Sequence, residues 1–295
     1  MLKGSDTVDI LDRLLRDSDE NVAIAAARAL PVACDNNRKP AIAALNSIRT
    51  KTEGRLRRAI DFSLAQLGEA RSIRAVLRDL PNEQGSIRRE IIDILRHLPG
   101  SAVSRSDLTD LLQSLLRSQE WRKRRAASEA IGELGLDGAV GTLARLATSH
   151  SEHYMVRCAA AEALGHIGRG PAIDAVQHAL RTDVSLLVRT AAAESLGTIG
   201  GATAVNDLTN ALDRDDEWRV RRAAAEACGT LRDGQAVHTL RSAADDPHFR
   251  VRMAVAWALG EIGNDEARET LQSLSKHDRS LLVKRSAARA LERLR

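Results

Sequence analysis

The amino-acid sequence predicts an all-α fold, an α-solenoid built from stacked helical hairpins. Three observations lead to this prediction. A 13-residue pattern recurs along the chain, its apolar residues return with the period of an α-helix, and no segment alternates with the period of a strand. The composition agrees, because hydrophobic residues make up 43% of the 295 residues and aromatic residues only 2%. Alanine and leucine, which supply most of the apolar residues, are strong helix formers.

The repeated pattern is clearest in VRCAAAEALGHIG, which begins at Val156. Successive copies begin 31 to 36 residues apart, which is the period of repeats made of two helices. The sequence therefore predicts about nine repeats. The nine copies begin at Val22, Leu56, Ile87, Lys123, Val156, Val188, Val220, Val251 and Val283.

Each repeat is expected to hold two antiparallel helices, which we call helix A and helix B. Helix B carries the 13-residue pattern, and helix A is the amphipathic run between two copies, such as AIDAVQHAL from Ala172. The residues 3, 4, 7, 8 and 11 positions after Val156 share its helical face, and all of them are apolar. We expect this face to pack on helix A and stacked repeats to bury what one hairpin leaves exposed.

The ends of helix B carry their own signals. Five residues before the pattern, most copies have a side chain that can cap a helix N-terminus, for example Asp183 and Asp215. Twelve residues after its first residue, five copies have a glycine, which ends helices readily in the left-handed conformation. These glycines are Gly68, Gly135, Gly168, Gly200 and Gly263.

The repeats resemble the HEAT family, specifically the short HEAT-like repeats that also occur in phycobilisome lyases. The resemblance is strongest from Ser118 to Asp278 and weaker before it. It implies a right-handed superhelix in which a turn aspartate and an arginine six residues later form an inter-repeat ladder. The matching residues are Asp183 with Arg189, Asp215 with Arg221, and Asp246 with Arg252.

The connection that begins at Pro99, PGSAVSRSD, is longer than the others. We expect it to separate looser N-terminal HEAT-like repeats, residues 1–98, from regular HEAT-like repeats, residues 99–295, within one continuous solenoid. The first part departs from the ladder pattern, because Ala23 carries no positive charge and Lys51 replaces the acidic residue.

The exposed stripe of helix B is the expected partner-binding surface, because helix B lines the concave side of HEAT-like solenoids. Aromatic residues and arginines, which are enriched in interface hot spots, recur on this stripe. The candidate partner-binding residues are Trp121, Arg125, Tyr154, Trp218, Arg222, Phe249, Met253 and Trp257.

Two interpretations of this stripe stay open at the level of sequence. The aromatic side chains either face a partner or pack on a neighbouring turn, and pairs such as Arg125 with Glu129 are either anchors or solvated i,i+4 ion pairs. Met253 and Trp257 either line an exposed pocket or contact a neighbouring repeat.

The sequence favours a non-enzymatic protein-binding scaffold or adaptor with no cofactor and no metal. Its partner is expected to present both apolar and acidic groups. We expect a cytoplasmic protein, because three cysteines without paired spacing suit a reducing compartment and the N-terminus lacks a signal-peptide pattern. No apolar run approaches the length that spans a bilayer. The oligomeric state is not predicted.

Nucleic-acid binding is the alternative, because several basic residues lie outside the ladder position. Acidic residues at four successive repeats, Glu129, Glu162, Glu194 and Glu226, oppose it because they would repel phosphate groups. The possible phosphate contacts are Arg55, Arg58, Arg89, Arg122 and Lys123.

Enzymatic activity has less support. The resemblance includes a bilin-lyase-like subunit and a DNA-repair-like protein as further alternatives, and the chain lacks the His-Glu dipeptides that hold iron in deoxyhypusine hydroxylase. His150 and His153 have metal-ligand spacing but no evident third ligand. Cys158 lies on the exposed stripe, either as a reactive thiol or as a small packed side chain. No catalytic residue is predicted.

Overall fold

The computed structural model describes residues 4–34, 37–81, 85–99, 103–168 and 170–294. Regular structure in these ranges is entirely helical, and the predicted all-α solenoid class is confirmed. The handedness of the superhelix and the number of repeats stay predictions. The chain forms two compact units, Met1–Arg117 and Ser118–Arg295. The division after residue 98 stays a prediction, and residues 100–102 of the connection from Pro99 lie outside the described ranges.

Each helix of the first unit has the length of a single helix A or helix B. Helix α2 packs on α4, and α4 packs on α6, so these three form one row. Pro31 lies inside α2, and an ion pair of 2.7 Å joins Arg49 Nη2 of α3 to Asp61 Oδ1 of α4. The helices are α1 (Gly4–Leu14), α2 (Glu20–Ala33), α3 (Arg38–Arg49), α4 (Gly54–Gln66), α5 (Ala70–Asp79), α6 (Gly85–Arg96) and α7 (Arg105–Leu116).

The second unit has two helical layers, a B row of even-numbered helices and an A row of odd-numbered helices. Each B helix packs on the next B helix, and each A helix packs on the next A helix. The helices are α8 (Trp121–Leu134), α9 (Val140–Thr148), α10 (Tyr154–Ile167), α11 (Ala172–Thr182), α12 (Leu186–Ile199), α13 (Ala202–Arg214), α14 (Trp218–Leu231), α15 (Val237–Ser242), α16 (Phe249–Ile262), α17 (Asp265–His277) and α18 (Leu281–Arg293).

The core of this unit lies between the two layers. Val156, Ala160 and Leu164, on the predicted apolar face of α10, are fully buried, and Ile167 at the end of that face is half-buried. Burial of this face contributes about 25 cal/mol for each Å² of apolar surface removed from water. The small size of the alanines lets the two layers approach closely.

Glycines inside the B helices set the distance between neighbouring repeats. A Cβ atom on Gly132 of α8 would lie 2.6 Å from the Cα atom of Ala163 on α10, which is too close for two carbon atoms. A glycine inside a helix costs about 1 kcal/mol relative to alanine, so close packing of the two backbones must offset that cost. The same glycine column continues through Gly165, Gly197, Gly229 and Gly260.

The aspartates expected to cap helix B lie two residues too early to be N-caps. Asp183 Oδ1 accepts the backbone N–H of Ser185 at 2.8 Å, and Ser185 is the N-cap residue of α12. The aspartate therefore closes an Asx turn that leads the chain into the helix. The equivalent hydrogen bonds join Glu217 to Asp215, His248 to Asp246 and Ser280 to Asp278.

Three of the five predicted glycines end their helices as expected. Gly200 is the C-cap of α12 but has φ 80° and ψ −171°, and Gly68 follows Leu67, the C-cap of α4. Gly135, Gly168 and Gly263 occupy the C-cap in the left-handed conformation. In α14 this position is taken by Arg232, whose φ of 53° is the only positive φ of a residue other than glycine in the described ranges. Non-glycine residues reach this conformation at a cost of about 1–2 kcal/mol.

Arginines of helix B link each repeat to the next. Arg189 donates from Nε and Nη2 to the Asp215 carboxylate at 2.7 and 2.9 Å, and from Nη1 to the Asp183 carbonyl at 2.9 Å. Each arginine thus joins the turn of its own repeat to the carboxylate of the following repeat. The corresponding pairs are Arg124 with Glu152, Arg157 with Asp183, Arg221 with Asp246, and Arg252 with Asp278.

Candidate partner-binding face

The candidate site is the side of the B row that faces away from the A row in the unit Ser118–Arg295. We call it the B-helix face. Each B helix contributes its first, fifth and ninth residue to this face, because residues four apart lie one above another on a helix. In α8 these residues are Trp121, Arg125 and Glu129. These positions form three parallel rows of residues across the six B helices from α8 to α18.

The aromatic residues in the first row form a stack that bridges two repeats. The Trp121 ring at the start of α8 lies parallel to the His153 ring, with centroids 4.1 Å apart and an interplanar angle of 9°. His153 in turn stacks on Tyr154, the first residue of α10, at 4.9 Å. All three rings are half-buried, so each packs on a neighbour and still reaches the surface.

A second stack of the same design lies three repeats further along. The Trp218 ring at the start of α14 lies 3.9 Å from the His248 ring, and His248 lies 5.3 Å from the ring of Phe249 in α16. The guanidinium groups of Arg219 and Arg250 lie 4.8 and 5.4 Å from the Trp218 centroid. These cation–π contacts place positive charge beside the stack.

The sequence reasoning missed His248 and the stacking role of His153. Each histidine is the N-cap of its helix, and its Nδ1 accepts the backbone N–H of Met155 at 3.2 Å or of Arg250 at 3.3 Å. Burial and the positive charge of Arg250 hold the pKa of His248 below its usual value. The available signal was a histidine directly before helix B in each repeat that follows a tryptophan-initiated helix. His153 therefore belongs to a stack, which is a different role from the metal ligand considered above.

The two predicted arginine anchors are each paired with a glutamate of their own helix. Arg125 Nε lies 2.7 Å from Glu129 Oε1, and Arg222 Nε lies 2.8 Å from Glu226 Oε1. The positive charges that suggested an acidic partner are thus offset on the face itself.

Glu162 and Glu194 are the acidic residues that α10 and α12 contribute to the third row. In the described part of the chain, the carboxylates of Glu162 and Glu194 make no hydrogen bond or ion pair. Both side chains reach solvent, yet the surrounding protein removes part of their hydration, and this raises the pKa of both carboxyl groups. The negative charges of neighbouring glutamates, including Glu129 and Glu226, raise the pKa further.

A shallow groove of about 320 Å³ runs beside these carboxylates and is lined by residues of α8, α10 and α12. Its apolar wall includes Tyr154, Met155 and Leu187, and Cys158 lines it as well. Burial, followed by the charge of Glu162, raises the pKa of the Cys158 thiol to about 12. The thiol is therefore protonated at neutral pH, which favours the packed interpretation of this cysteine over the reactive one.

A larger cavity, of about 640 Å³, lies between α16 and α18. Met253 and Trp257 line it, and both are half-buried. Trp257 also packs on α14, because a Cβ atom on Gly229 would lie 2.6 Å from its Cζ3 atom. Both interpretations left open by the sequence therefore apply. Trp257 contacts the neighbouring repeat, and Met253 and Trp257 together line an open cavity.

The candidate phosphate contacts are distributed over both units, and most have local partners. Arg58 and Lys123 each form an ion pair with a nearby acidic residue. The Arg122 guanidinium lies 4.9 Å from the centroid of the tryptophan ring before it, and Arg89 donates to a carbonyl of its own helix. Arg55 is exposed. Arg55, Arg58 and Arg89 belong to the unit Met1–Arg117, whereas Arg122 and Lys123 belong to the unit Ser118–Arg295.

The sequence of the chain matches a model of HEAT repeats over residues 108–197 and 205–292, which is more than half of its length. The chain belongs to the HEAT-repeat family. Within these HEAT repeats, residues 188–214 also match the PBS lyase HEAT-like repeat. The family resemblance inferred from the repeated pattern is confirmed. A comparison with curated proteins finds no match.

Solved structures similar to this HEAT-repeat chain include importin beta crystallised in an ammonium sulfate condition, with a TM-score of 0.61 and 14% sequence identity. That alignment covers 98% of this chain and 46% of the importin beta chain, so this chain spans less than half of that relative. Human deoxyhypusine hydroxylase in complex with glycerol aligns with a TM-score of 0.39 and 22% identity, over 88% of this chain and 96% of that one. The importin beta alignment supports the solenoid fold alone.

Within the ranges that the structure describes, no group of three or more His, Cys, Asp or Glu residues is arranged to bind a metal ion. None of the helices in those ranges combines the length and the apolar character needed to cross a membrane.

Proposed function

We propose that the HEAT-repeat unit Ser118–Arg295 binds an extended segment of a partner protein on its B-helix face and acts as a non-enzymatic scaffold or adaptor. The observation that carries this proposal is the row of glutamates at the ninth position of four consecutive B helices. Partial loss of hydration, followed by repulsion from neighbouring glutamates, raises the pKa of Glu162 and Glu194, and both effects work against folding. Local arrangements that cost stability are typical of functional sites.

The chemistry of the face favours a partner segment that carries lysine or arginine together with apolar residues. Glu162 and Glu194 offer unpaired carboxylates, and Tyr154, Met155 and Leu187 offer apolar surface beside them. The acidic partner expected from the arginines loses its basis in this region, since Arg125 and Arg222 are paired within their helices. Flanking half-buried aromatic rings are the side chains that most often act as interface anchors.

Neither alternative function has a specific observation in its favour. Phosphate groups would be repelled by the glutamate row of the B-helix face, and Arg58 and Lys123 are already ion-paired. The match to a PBS lyase HEAT-like repeat covers one repeat and supports the repeat type, which many functions share.

A charge-neutralising variant tests the proposal. The probe is a fluorescein-labelled 16-residue peptide of alternating lysine and leucine, and its binding to the full chain is followed by fluorescence anisotropy. We expect the double variant Glu162→Gln/Glu194→Gln to weaken binding by about tenfold, since each lost charge pair removes part of the electrostatic attraction.

The matched control is Glu266→Gln/Glu269→Gln on α17, which removes the same charge from the A row. This control should bind the peptide within about twofold of the unchanged chain, as expected for charges distant from the interface. Equal affinities for the two double variants would contradict the proposal, as would tighter binding of a single-stranded oligonucleotide than of the peptide.

A further inference from the structure

The B-helix face changes from negative to positive charge at α18. Arg285 and Arg289 lie one turn apart on α18, and within the described ranges neither guanidinium forms a hydrogen bond or an ion pair. Arg293, one turn further along, pairs with Glu261 at 2.8 Å. The face thus carries two unpaired positive charges on α18, whereas its acidic row extends from α8 to α14.

The two arginines stand at the cavity between α16 and α18. Its volume of about 640 Å³ lies in the range of about 300–1,000 Å³ that is usual for binding pockets. Met253 and Trp257 form an apolar wall, and methionine adapts its shape to different side chains. Leu282 lines the cavity as well and is 52% exposed.

We infer that this cavity anchors a bulky apolar side chain of the partner segment that is followed directly by acidic residues. The apolar side chain occupies the space beside Met253 and Trp257, and the carboxylates pair with Arg285 and Arg289. A guanidinium presents parallel N–H donors that match the two oxygens of a carboxylate. This inference rests on the proposed function and specifies the partner chemistry at one end of the same face.

A protein segment suits this site better than a nucleic acid or a small acid. Glu226, which pairs with Arg222, stands at one edge of the cavity, and a continuous phosphate backbone running along the face would go on to meet Glu194 and Glu162. Leu281, which is 68% exposed, extends the apolar surface along α18 beyond the lining of the cavity. A single small carboxylate would leave that leucine uncovered, whereas a peptide chain would continue over it.

The two charged zones also set the direction and spacing of the partner. Packed helices lie about 8–10 Å apart, so the three steps from α12 to α18 span roughly 24–30 Å. An extended chain advances by about 3.3 Å per residue, so about seven to nine residues separate the cationic part from the acidic residues that follow the apolar anchor. The partner is thus expected to be cationic over α10 and α12 and anionic at α18.

Peptide binding to the full chain tests the anchor site. The probe is a fluorescein-labelled serine-rich peptide that contains one phenylalanine followed by three glutamates, and anisotropy gives its affinity. Binding should require both features, so the peptides with Phe→Ala or with Glu→Gln should bind about tenfold more weakly or worse. The variant Arg285→Ala/Arg289→Ala should show a similar loss for the unchanged peptide.

The control is Arg181→Ala/Arg214→Ala, which removes two exposed arginines from α11 and α13 of the A row. It should leave the affinity within about twofold of the unchanged chain. The inference is overturned if both double variants lose affinity equally, if neither does, or if phenylpropionate or an oligonucleotide displaces the peptide at equal concentration.

The cationic lysine-leucine peptide distinguishes this inference from the function on which it rests. The Arg285→Ala/Arg289→Ala variant retains Glu162 and Glu194, so the cationic peptide should still bind it. Retained binding of the cationic peptide together with failure of the glutamate-rich peptide would overturn the anchor site alone. Failure of both peptides on the unchanged chain would overturn the anchor site and the proposed function together.

Discussion

At the scale of single residues, the decisive feature of the face is where its charges are left unpaired. The sequence pattern placed Arg125 and Glu162 on one stripe, but it did not show which charges neutralise each other. That depends on rotamers and on distances between side chains of different helices. In the structure Arg125 pairs with Glu129 of its own helix. Glu162, on the next B helix, forms no ion pair within the described part of the chain.

The glutamate row predicts a pH-dependent gain in stability for Glu162→Gln. The folded-state pKa of Glu162 is raised above its ordinary value of 4.5, so folding favours its protonated form. Its destabilising effect is therefore full at neutral pH and disappears as the pH falls below 4.5. The variant should raise the free energy of unfolding at pH 7 by about 0.2–0.5 kcal/mol, the size typical of exposed like-charge pairs.

Urea denaturation at pH 7 and at decreasing pH measures this effect, with Glu269→Gln in the A row as the control. A loss of stability in Glu162→Gln at pH 7, or a gain that does not depend on pH, would show that the carboxylate is not repelled by its neighbours.

At the scale of secondary-structure elements, the pattern predicted the helices well because each one is amphipathic and its ends carry turn residues. The N-cap positions were wrong by two residues, because Asp183 and its equivalents look like caps and instead close the turn before the helix. The interior glycines were not singled out, since helix propensity argues against them. Their role depends on the approach of a second helix, which a single helical pattern does not reveal.

The close packing of B helices predicts that Gly132→Ala lowers stability although alanine is the better helix former. The added Cβ atom would lie 2.6 Å from the Cα atom of Ala163, so the two backbones must separate. Overpacking of this kind costs about 1–3 kcal/mol and exceeds or cancels the gain of about 1 kcal/mol in helix propensity. Thermal and urea unfolding followed by circular dichroism measure the outcome.

Gly141→Ala in α9 is the matched control, because a Cβ atom there meets no atom within 4 Å. This variant should be neutral or more stable. A Gly132→Ala variant that is stabilised to the same extent as Gly141→Ala would contradict the account of helix spacing.

At the scale of the whole molecule, repetition made the fold class predictable, because a repeat that cannot bury its own apolar face must stack on another. The resemblance also indicated an aspartate–arginine ladder, but only the coordinates show which partners meet. Arg157 donates to Asp183 of the following repeat, and both are about 4% exposed. The candidate partner-binding face was less predictable, because its shape depends on how successive B helices meet.

The buried ladder predicts strong coupling between Arg157 and Asp183. Removing Arg157 alone leaves a buried carboxylate without its counter-charge, so Arg157→Ala should cost about 3–5 kcal/mol of stability in the unit Ser118–Arg295. The double variant Arg157→Ala/Asp183→Ala should cost less than the sum of the two single variants. Urea unfolding of all four proteins completes the cycle, and strictly additive losses would contradict the coupling.

The central claim is that the B-helix face binds a protein segment with a defined direction, and mapped photo-cross-linking tests it most directly. The probe is a peptide with a lysine-rich stretch, a spacer of about eight residues, and a phenylalanine followed by glutamates, with a benzophenone placed near either end. Mass spectrometry of the cross-linked full chain should place the lysine-rich end on α10 and α12 and the glutamate-rich end on α16 and α18. Cross-links on the A-row helices α9, α11 and α13, or the same two ends in reverse order, would contradict the claim.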